Sequence, residues 1–139
     1  MFEKIKCFIL DMDGTIYLGN ELFSFTKDFL KKVKETGREY YFFTNNSSKS
    51  QQDYIEKLER FGIRIKRQQM ITSTHVISRY LKQHYEGKSV YVVGTPFLIQ
   101  EFQYFGINVT EEDPDIVVLG FDTTLTYEKL SKACHYIRN

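Results

Sequence analysis

Apolar runs and amphipathic stretches alternate along this chain. Residues 5–10, "IKCFIL", form a continuous apolar run that predicts a strand covered on both faces. Further strands are predicted at "REYYFF" (38–43), "KSVYVVG" (88–94) and "DIVVLGF" (115–121). Between the runs, apolar residues recur every three or four positions, as in an amphipathic helix. This alternation is typical of an α/β fold with a mostly parallel sheet.

Cap residues and glycines predict where the helices begin and end. We expect caps at Ser24 or Thr26, at Ser73 or Thr74, and at Thr95 before Pro96, with a last helix from about Thr126. The predicted helix ends are Gly37, Gly62 and Gly106. The strand and helix pattern begins again between residues 80 and 88. We therefore predict two domains, residues 1–79 and 80–139.

Composition and charge narrow the classes of partner. Nineteen basic and eighteen acidic residues leave a formal net charge of +1, which gives no reason to expect nucleic acid or an anionic membrane. The charged N-terminus is followed by only four apolar residues before Asp11, too few for a signal peptide or a membrane span. Cys7 and Cys134 form no C-x-x-C pair and are predicted to be reduced packing residues, which favours a cytoplasmic protein.

Polar residues follow two of the predicted strands directly. Asp11 and Asp13 leave the first strand at its carboxyl end, and Gly14 permits a tight turn after them. Thr44 and Asn45 leave the next strand at its own carboxyl end. Ligands of parallel α/β sheets gather at the carboxyl ends of the strands. If the two strands are neighbours, these side chains therefore share one site.

The segment after the second strand suits an anion. Ser47, Ser48 and Ser50 can each cap the following helix, whose free N–H groups and dipole favour phosphate. One carboxylate can attack phosphorus to give an aspartyl-phosphate, and a second can protonate the leaving oxygen and then activate water. Two acids beside a dianionic substrate require a hard cation, for which Mg²⁺ is the natural choice.

Together, "FILDMDGTIY" (8–17) and "YYFFTNNSS" (40–48) resemble the first two motifs of the haloacid dehalogenase superfamily. By this resemblance Asp11 is the nucleophile and Asp13 the general acid/base, and both bind Mg²⁺, Asp13 through its backbone carbonyl. Thr44, the Asn45 N–H and Asn46 would bind the phosphate of the substrate. The second acid implies the phosphatase or phosphomutase branch of the superfamily.

The motif spacing and the later segments resemble the p-nitrophenyl phosphatase (NagD-like) subfamily, which carries an α/β cap after the second motif. The resemblance implies a Rossmann-like parallel-sheet core in residues 1–79, followed by the start of the cap in residues 80–139. The implied function is Mg²⁺-dependent hydrolysis of small phosphomonoesters: nucleotide, sugar or glycerol phosphates, with p-nitrophenyl phosphate as a surrogate. A phosphomutase and a catalytically incomplete phosphate-binding module are the alternatives.

The family's third motif supplies a lysine and its fourth supplies further metal-binding aspartates, both after the cap. No segment of this sequence matches them. We therefore expect a natural protein nearly twice as long, with the 139-residue chain inactive by itself. Without the later strands an apolar strand would present an unpaired edge. Pairing of that edge with a second copy of the chain would give a homo-oligomer.

Acids and lysines near the C-terminus have simpler explanations than catalysis. The acids of residues 111–115 precede their strand and so lie at the wrong strand end. Asp122 is expected to be a helix-start or cap residue, and Lys129 and Lys132 to be solvated helix lysines.

Two remaining groups are also explained without chemistry. The histidines at positions 75, 84 and 135 lack metal-ligand spacing and are predicted to lie on surfaces or helix faces. The basic stretch at residues 60–67 is predicted to be a turn between a helix and a strand, with steering of an anionic substrate as the alternative.

Overall fold

Residues 4–138 are described by a computed structural model, and their contacts divide them into two units. The first unit comprises the residues up to Asn45 and residues 51–71. The second comprises Asn46–Ser50 and the residues from Thr72 onward. The predicted boundary at residues 79/80 falls inside a helix, Ser73–His84. Assignment of the two units to a core and a cap stays a prediction.

Among the described residues, the first unit consists of two small sheets and two helices. In chain order its elements are β1 (Cys7–Asp11), β2 (Tyr17–Leu18), β3 (Glu21–Leu22), α1 (Thr26–Glu35), β4 (Glu39–Thr44), α2 (Gln51–Arg60), a 3₁₀ turn (Arg67–Gln69) and β5 (Met70–Thr72), which ends at the boundary. β1 and β4 are parallel, and β5 lies on the other side of β4. β2 and β3 form an antiparallel hairpin. The predicted α/β architecture is confirmed.

The prediction that β1 is covered on both faces is wrong. Phe8 and Leu10 pack against the core, whereas Cys7 is exposed and Ile9 is 70 % exposed. Among the described strands only β4 is hydrogen-bonded to β1, so β1 lies at an edge of this sheet. An apolar run indicates that its residues favour burial, but it does not show which neighbouring elements are present to bury them.

The core of the first unit lies between the two helices and β4. Leu30 and Val33 of α1 cluster with Leu58 of α2 and with Tyr40 and Phe42 of β4. Complete burial of an apolar side chain of this size contributes about 1.5–3 kcal/mol. The predicted apolar faces of both helices are thereby confirmed.

Glycines end the helices of the first unit as predicted, but the predicted cap of α1 is wrong. Gly37 and Gly62 follow α1 and α2 with φ of 69° and 77°, a conformation that glycine adopts readily. α1 has no side-chain cap, since Phe25 occupies the cap position. The buried Thr26 hydroxyl instead donates to the Ile16 carbonyl at 2.9 Å. This bond ties the start of α1 to the chain segment before β2.

A buried glutamine fixes the start of α2. The Gln51 Nε2 atom donates to the carbonyls of Arg67 at 3.0 Å and Met70 at 2.8 Å. Its Oε1 atom accepts from the Arg67 Nε at 2.8 Å. Both ends of the amide are hydrogen-bonded, so its burial carries little penalty. The glutamine thus joins α2 to the basic segment before β5, where a turn was predicted.

The second unit is a parallel sheet with helices on both faces. Its elements are α3 (Ser73–His84), β6 (Ser89–Val93), α4 (Pro96–Tyr104), β7 (Asn108–Val109), β8 (Ile116–Leu119) and α5 (Tyr127–Arg138). β6 is the central strand, paired in parallel with β7 and β8. Its Val90 and Val92 pack toward α3 and α4, whereas Tyr91 and Val93 pack with Ala133 of α5. β6 is therefore buried on both faces, as its continuous apolar run indicates.

Threonines cap two helices of the second unit. Thr95 caps α4 as predicted, because its Oγ1 accepts from the Leu98 N–H at 3.3 Å and Pro96 occupies the first turn. α3 is capped by Thr72, one position before the nearer predicted residue. The Thr72 N–H donates to the His75 Nδ1 and the His75 N–H donates to the Thr72 Oγ1, each at 3.4 Å, so this histidine completes a capping box.

A partly buried ion pair holds the loop between β8 and α5. The Lys129 Nζ lies 2.8 Å from the Asp122 Oδ2 and donates to the Gly94 carbonyl at 3.0 Å and the Thr124 Oγ1 at 2.9 Å. The prediction that Lys129 is solvated is therefore wrong. Burial acts to raise the pKa of Asp122, but hydrogen bonds from Lys129 and Thr124 outweigh it and lower that pKa. Asp122 holds the loop, while Thr126 accepts from the Lys129 N–H at the start of α5.

Both cysteines are free, as predicted, but neither is a packing residue. Cys7 and Cys134 are exposed, on β1 and on α5.

Lys132 keeps access to solvent and pairs with Glu111 at 3.1 Å and Glu128 at 3.3 Å. Along residues 4–138, no helix combines the length and the apolar character needed to cross a membrane.

A carboxylate at the start of β8 joins that strand to β6. Asp115 accepts from the Lys88 Nζ at 2.7 Å and from the N–H and hydroxyl of Ser89 at 2.8 and 3.0 Å. These bonds, with that of Lys88 the largest cause, lower the pKa of Asp115 from 3.8 to about 2. The charged form of Asp115 is therefore favoured in the folded protein.

We expect Thr26→Val in the complete natural protein to lower the free energy of unfolding by about 1 kcal/mol, the usual net worth of one hydrogen bond. The effect stays small because the Ile16 carbonyl keeps a second bond, from the Phe23 N–H at 3.2 Å. Urea unfolding measures it. The matched control is Thr123→Val at an exposed position, and an equal loss in both variants would contradict this role of Thr26.

We expect Asp115→Asn to lower the thermal unfolding midpoint at pH 7. Since the pKa of Asp115 is about 2 in the folded state against 3.8 in the reference state, its contribution is complete above about pH 4 and is lost as the pH falls toward 2. The difference between wild type and variant should therefore shrink only below pH 4. The control is Glu112→Gln on the neighbouring loop, and a pH-independent difference would rule out this linkage.

Candidate functional site

The pairing of β1 with β4 brings the predicted site residues to one edge of the first sheet. Asp11 is the last residue of β1 and lies opposite Phe43, so Thr44 is the next residue of β4 at that edge. Asp13 and Asn45 follow the two strands directly, and both are exposed. The sequence analysis placed these residues together on the condition that the strands are neighbours, and the observed pairing meets that condition.

The turn after Asp11 closes on a single carbonyl group. The Met12 carbonyl accepts from the N–H groups of residues 15–17 at 3.2, 2.9 and 3.4 Å. Gly14 has φ of 81°, so the predicted need for glycine in this turn is confirmed. The Met12 side chain is buried, while Asp11 and Asp13 on either side of it are exposed. The turn therefore presents two carboxylates to solvent from a fixed backbone.

A threonine in this turn contacts the first aspartate. The Thr15 Oγ1 donates to the Asp11 Oδ2 at 3.4 Å. Thr15 belongs to the D-x-D-G-T pattern, but the sequence analysis gave it no role of its own. Its position four residues after Asp11, across a turn with glycine at its centre, is the signal that could have identified it.

The sequence analysis also missed Tyr17, which is completely buried beside the acidic turn. Among the described residues its hydroxyl has no hydrogen-bond partner of ordinary geometry. Burial, and then the negative charge of Asp13, raise the pKa of Tyr17 above its ordinary value. The sequence shows a tyrosine at the end of the "DGTIY" segment, but it does not show that this side chain is buried.

Thr44 lies at the right strand end, but on the buried face of β4. Tyr40, Phe42 and Thr44 are buried in alternation, whereas Asp11 pairs with Phe43 and shares the face of that residue. Thr44 is 1 % exposed. Because these two side chains lie on opposite faces of the sheet, a ligand can contact both only beyond the carboxyl ends of β1 and β4. The assignment of Thr44 and Asn45 to phosphate stays a prediction.

Asn46 lies in the second unit, within a turn of its own. Its Oδ1 accepts from the N–H and hydroxyl of Ser48 at 3.0 and 2.7 Å, as in an Asx turn. The Ser47 hydroxyl accepts from the Phe121 N–H at 2.7 Å. These bonds engage the Ser47 and Ser48 hydroxyl groups within the second unit, and the capping of α2 by Ser47, Ser48 or Ser50 stays a prediction. Phosphate binding by Asn46 stays a prediction.

The donors at the edge of the first sheet suit a hard divalent cation. Proteins commonly bind Mg²⁺ through one or two carboxylates, with water and substrate phosphate completing the octahedral shell. Asp11 supplies an exposed carboxylate of this kind, and the family resemblance adds the backbone carbonyl of Asp13. No group of three or more histidine, cysteine and acidic side chains suited to a metal occurs within residues 4–138. The described residues therefore fit part of a Mg²⁺ shell.

Comparison with known sequences agrees with this arrangement. Residues 8–108 match a family described as haloacid dehalogenase-like hydrolase. The chain is 34 % identical over 137 residues to the 5'-nucleotidase YutF of Bacillus subtilis, and 32 % identical over 138 residues to the acid sugar phosphatase of Staphylococcus aureus. Each match covers 99 % of this chain, but 54 % and 53 % of the respective relative. The chain thus spans about half the length of these relatives.

Solved structures give the same result for the fold. A 4-nitrophenylphosphatase from Thermotoga maritima superposes with a TM-score of 0.92 at 43 % identity, over 97 % of this chain and 52 % of that one. NagD from E. coli K-12 has a TM-score of 0.84 at 28 % identity, over 96 % of this chain and 53 % of its own. A glycerol phosphate phosphatase from Mycobacterium tuberculosis in complex with magnesium reaches 0.86 at 27 % identity, over 98 % of this chain and 42 % of that one.

The resemblance drawn from the two strand-end motifs is therefore confirmed, and NagD and the p-nitrophenyl phosphatases are among the structural neighbours. With a family match over residues 8–108 and two aspartates presented at the end of β1, the chain belongs to the haloacid dehalogenase-like hydrolases.

Proposed function

We propose that the protein hydrolyses small phosphomonoesters through an aspartyl-phosphate on Asp11, with Mg²⁺ as cofactor. The observation that carries this proposal is the strand pairing that brings Asp11 and Thr44 to one sheet edge, with Asp13 on the adjoining turn. The names of the relatives, a nucleotidase, a sugar phosphatase and a glycerol phosphate phosphatase, support a small phosphorylated metabolite as substrate.

The first half of the reaction transfers the phosphoryl group to the protein. A carboxylate oxygen of Asp11 forms a bond to phosphorus as the bond from phosphorus to the leaving oxygen breaks in line. Asp13 in its acid form gives its proton to that leaving oxygen. The Thr44 hydroxyl and the Asn45 N–H donate to the equatorial oxygens of the phosphoryl group.

The second half releases phosphate. Asp13, now a carboxylate, takes a proton from a water molecule, whose oxygen attacks the phosphorus of the aspartyl-phosphate. The bond between phosphorus and the Asp11 oxygen breaks, which restores Asp11 and returns Asp13 to its acid form. The Thr15 hydroxyl, which donates to Asp11 at 3.4 Å, steadies the carboxylate between cycles.

Asp11 would hold the Mg²⁺ ion through its carboxylate and Asp13 through its backbone carbonyl, which leaves the Asp13 carboxyl group free for proton transfer. When bound, the ion offsets the repulsion between two carboxylates and a dianionic phosphate and withdraws charge from the phosphoryl oxygens. Oxygen donors, a small number of carboxylates and an open, solvated edge are the features that this ion prefers over larger or softer metals.

We expect Asp11→Asn in the complete natural protein to reduce p-nitrophenol release from p-nitrophenyl phosphate to the uncatalysed rate, because the amide is not a nucleophile for phosphorus. Asp13→Asn should slow turnover by about 10²–10⁴-fold, the usual contribution of general acid–base catalysis, because hydrolysis of the aspartyl-phosphate loses its base. The matched control is Asp28→Asn at an exposed position of α1, which should keep wild-type turnover. Wild-type activity in Asp11→Asn would refute the nucleophile assignment.

We expect reaction in ¹⁸O-labelled water to place the label in the released phosphate, since water breaks the aspartyl-phosphate. Mass spectrometry of the phosphate measures the incorporation. A phosphomutase would instead return the phosphoryl group to a substrate hydroxyl and leave phosphate unlabelled. Removal of Mg²⁺ with EDTA should stop the reaction, and added Mg²⁺ should restore it.

A further inference from the structure

We propose that Tyr17 is a positioning residue for Asp13. In the complex with substrate, the buried Tyr17 hydroxyl donates a hydrogen bond to the Asp13 carboxyl group and fixes it toward the leaving oxygen. The inference rests on the proposed role of Asp13 as general acid. Tyr17 itself exchanges no proton and forms no covalent bond in the cycle.

The first observation is a buried hydroxyl group without a conventional partner. Tyr17 is 0 % exposed, and among the described residues no atom meets its hydroxyl with ordinary hydrogen-bond geometry. Burial of an unpaired hydroxyl is unfavourable, so such a group in a folded protein calls for an explanation. A partner that is engaged only when substrate is bound explains it.

The second observation is that the Tyr17 ring is held in place from two sides. The Lys57 Nζ lies 3.7 Å from the ring centroid, a cation–π contact. The Phe61 ring packs against it with a centroid distance of 5.5 Å. A ring held in this way has little freedom to turn its hydroxyl toward a different acceptor.

The third observation is that the backbone of Tyr17 is part of the acidic turn. Its carbonyl accepts from the Gly14 N–H at 2.8 Å, and Tyr17 forms an isolated β-bridge with Asp13. A shift of Asp13 would therefore move Tyr17 as well. The turn that presents the carboxylate also carries the proposed donor.

The geometry of the β-bridge points to Asp13 as the group that the hydroxyl meets, because bridge partners project their side chains on the same face. After burial, the charge of Asp13 is the largest cause that raises the pKa of Tyr17, which agrees with this placement. Since the hydroxyl has no partner of ordinary hydrogen-bond geometry among the described residues, the proposed bond to Asp13 forms in the complex with substrate. Catalytic hydrogen bonds are often long before substrate binds and tighten in the complex.

The chemical consequence depends on the leaving group. When Asp13 gives up its proton it becomes a carboxylate, and a fixed donor stabilises the new charge. An alkoxide leaving group needs that proton in the transition state, whereas p-nitrophenolate is stable enough to leave with little assistance. Loss of the Tyr17 hydroxyl should therefore affect alkyl phosphates more than p-nitrophenyl phosphate.

The test compares Tyr17→Phe with Tyr40→Phe in the complete natural protein. Both variants remove one hydroxyl from the same core cluster, but Tyr40 pairs with Phe8 at the other end of the sheet. Single-turnover rates are measured with glycerol 3-phosphate and with p-nitrophenyl phosphate. For Tyr17→Phe we expect a loss of about 10-fold or more on the alkyl ester, the worth of a hydrogen bond to a charged group, and a clearly smaller loss on the aryl ester. Tyr40→Phe should match wild type on both.

A second measurement does not depend on turnover or on the folding of Tyr17→Phe. With ¹³Cζ-labelled tyrosine and saturating inorganic phosphate and Mg²⁺, the Tyr17 resonance should move in Asp13→Asn and stay in place in Asp28→Asn. The inference would be overturned if Tyr17→Phe lost the same factor in rate on both esters. It would also be overturned if the Tyr17 resonance did not move in Asp13→Asn. Neither result affects the proposed function, which fails only if wild-type turnover survives Asp11→Asn.

Discussion

The parallel pairing of β1 with β4 is the constraint on which the candidate site depends. It places the end of one strand beside the end of the other, with Asp11 opposite Phe43. A shift of β1 by one residue would turn Asp11 toward the core and turn Phe8 and Leu10 away from it, because side chains alternate between faces. Packing of Phe8 and Leu10 against the core opposes such a shift. The hydrophobic core of the first unit thus determines where the carboxylates lie.

The turn after β1 shows how burial and exposure are divided over a few residues. Met12 and Tyr17 are buried, while Asp11 and Asp13 face solvent. The buried side chains anchor the turn, and the Met12 carbonyl holds its N–H groups. A reactive group needs a fixed position as well as access to substrate, and this turn provides both. The anchoring residues are therefore as much a part of the site as the acids.

The second unit uses the same architecture to a different end. Its sheet also has loops at the carboxyl ends of parallel strands, but the charged groups there neutralise each other. The Lys129 Nζ donates to the Asp122 carboxylate, the Thr124 hydroxyl and the Gly94 carbonyl. An acid after a strand is thus a candidate for chemistry only when it is free to meet a ligand. Asp11 and Asp13 meet that condition in their exposure, and Asp122 does not.

The sequence by itself determined the features that depend on local order: the alternation of strands and helices, the glycines that end the helices, and the D-x-D-G-T turn at a strand end. These follow from backbone preferences and from the period of apolar residues. Only the tertiary structure decided the single covered face of β1, the burial of Tyr17 and the partners of Lys129, of which Gly94 lies 35 residues away. Each depends on which distant groups meet, and no local pattern encodes that.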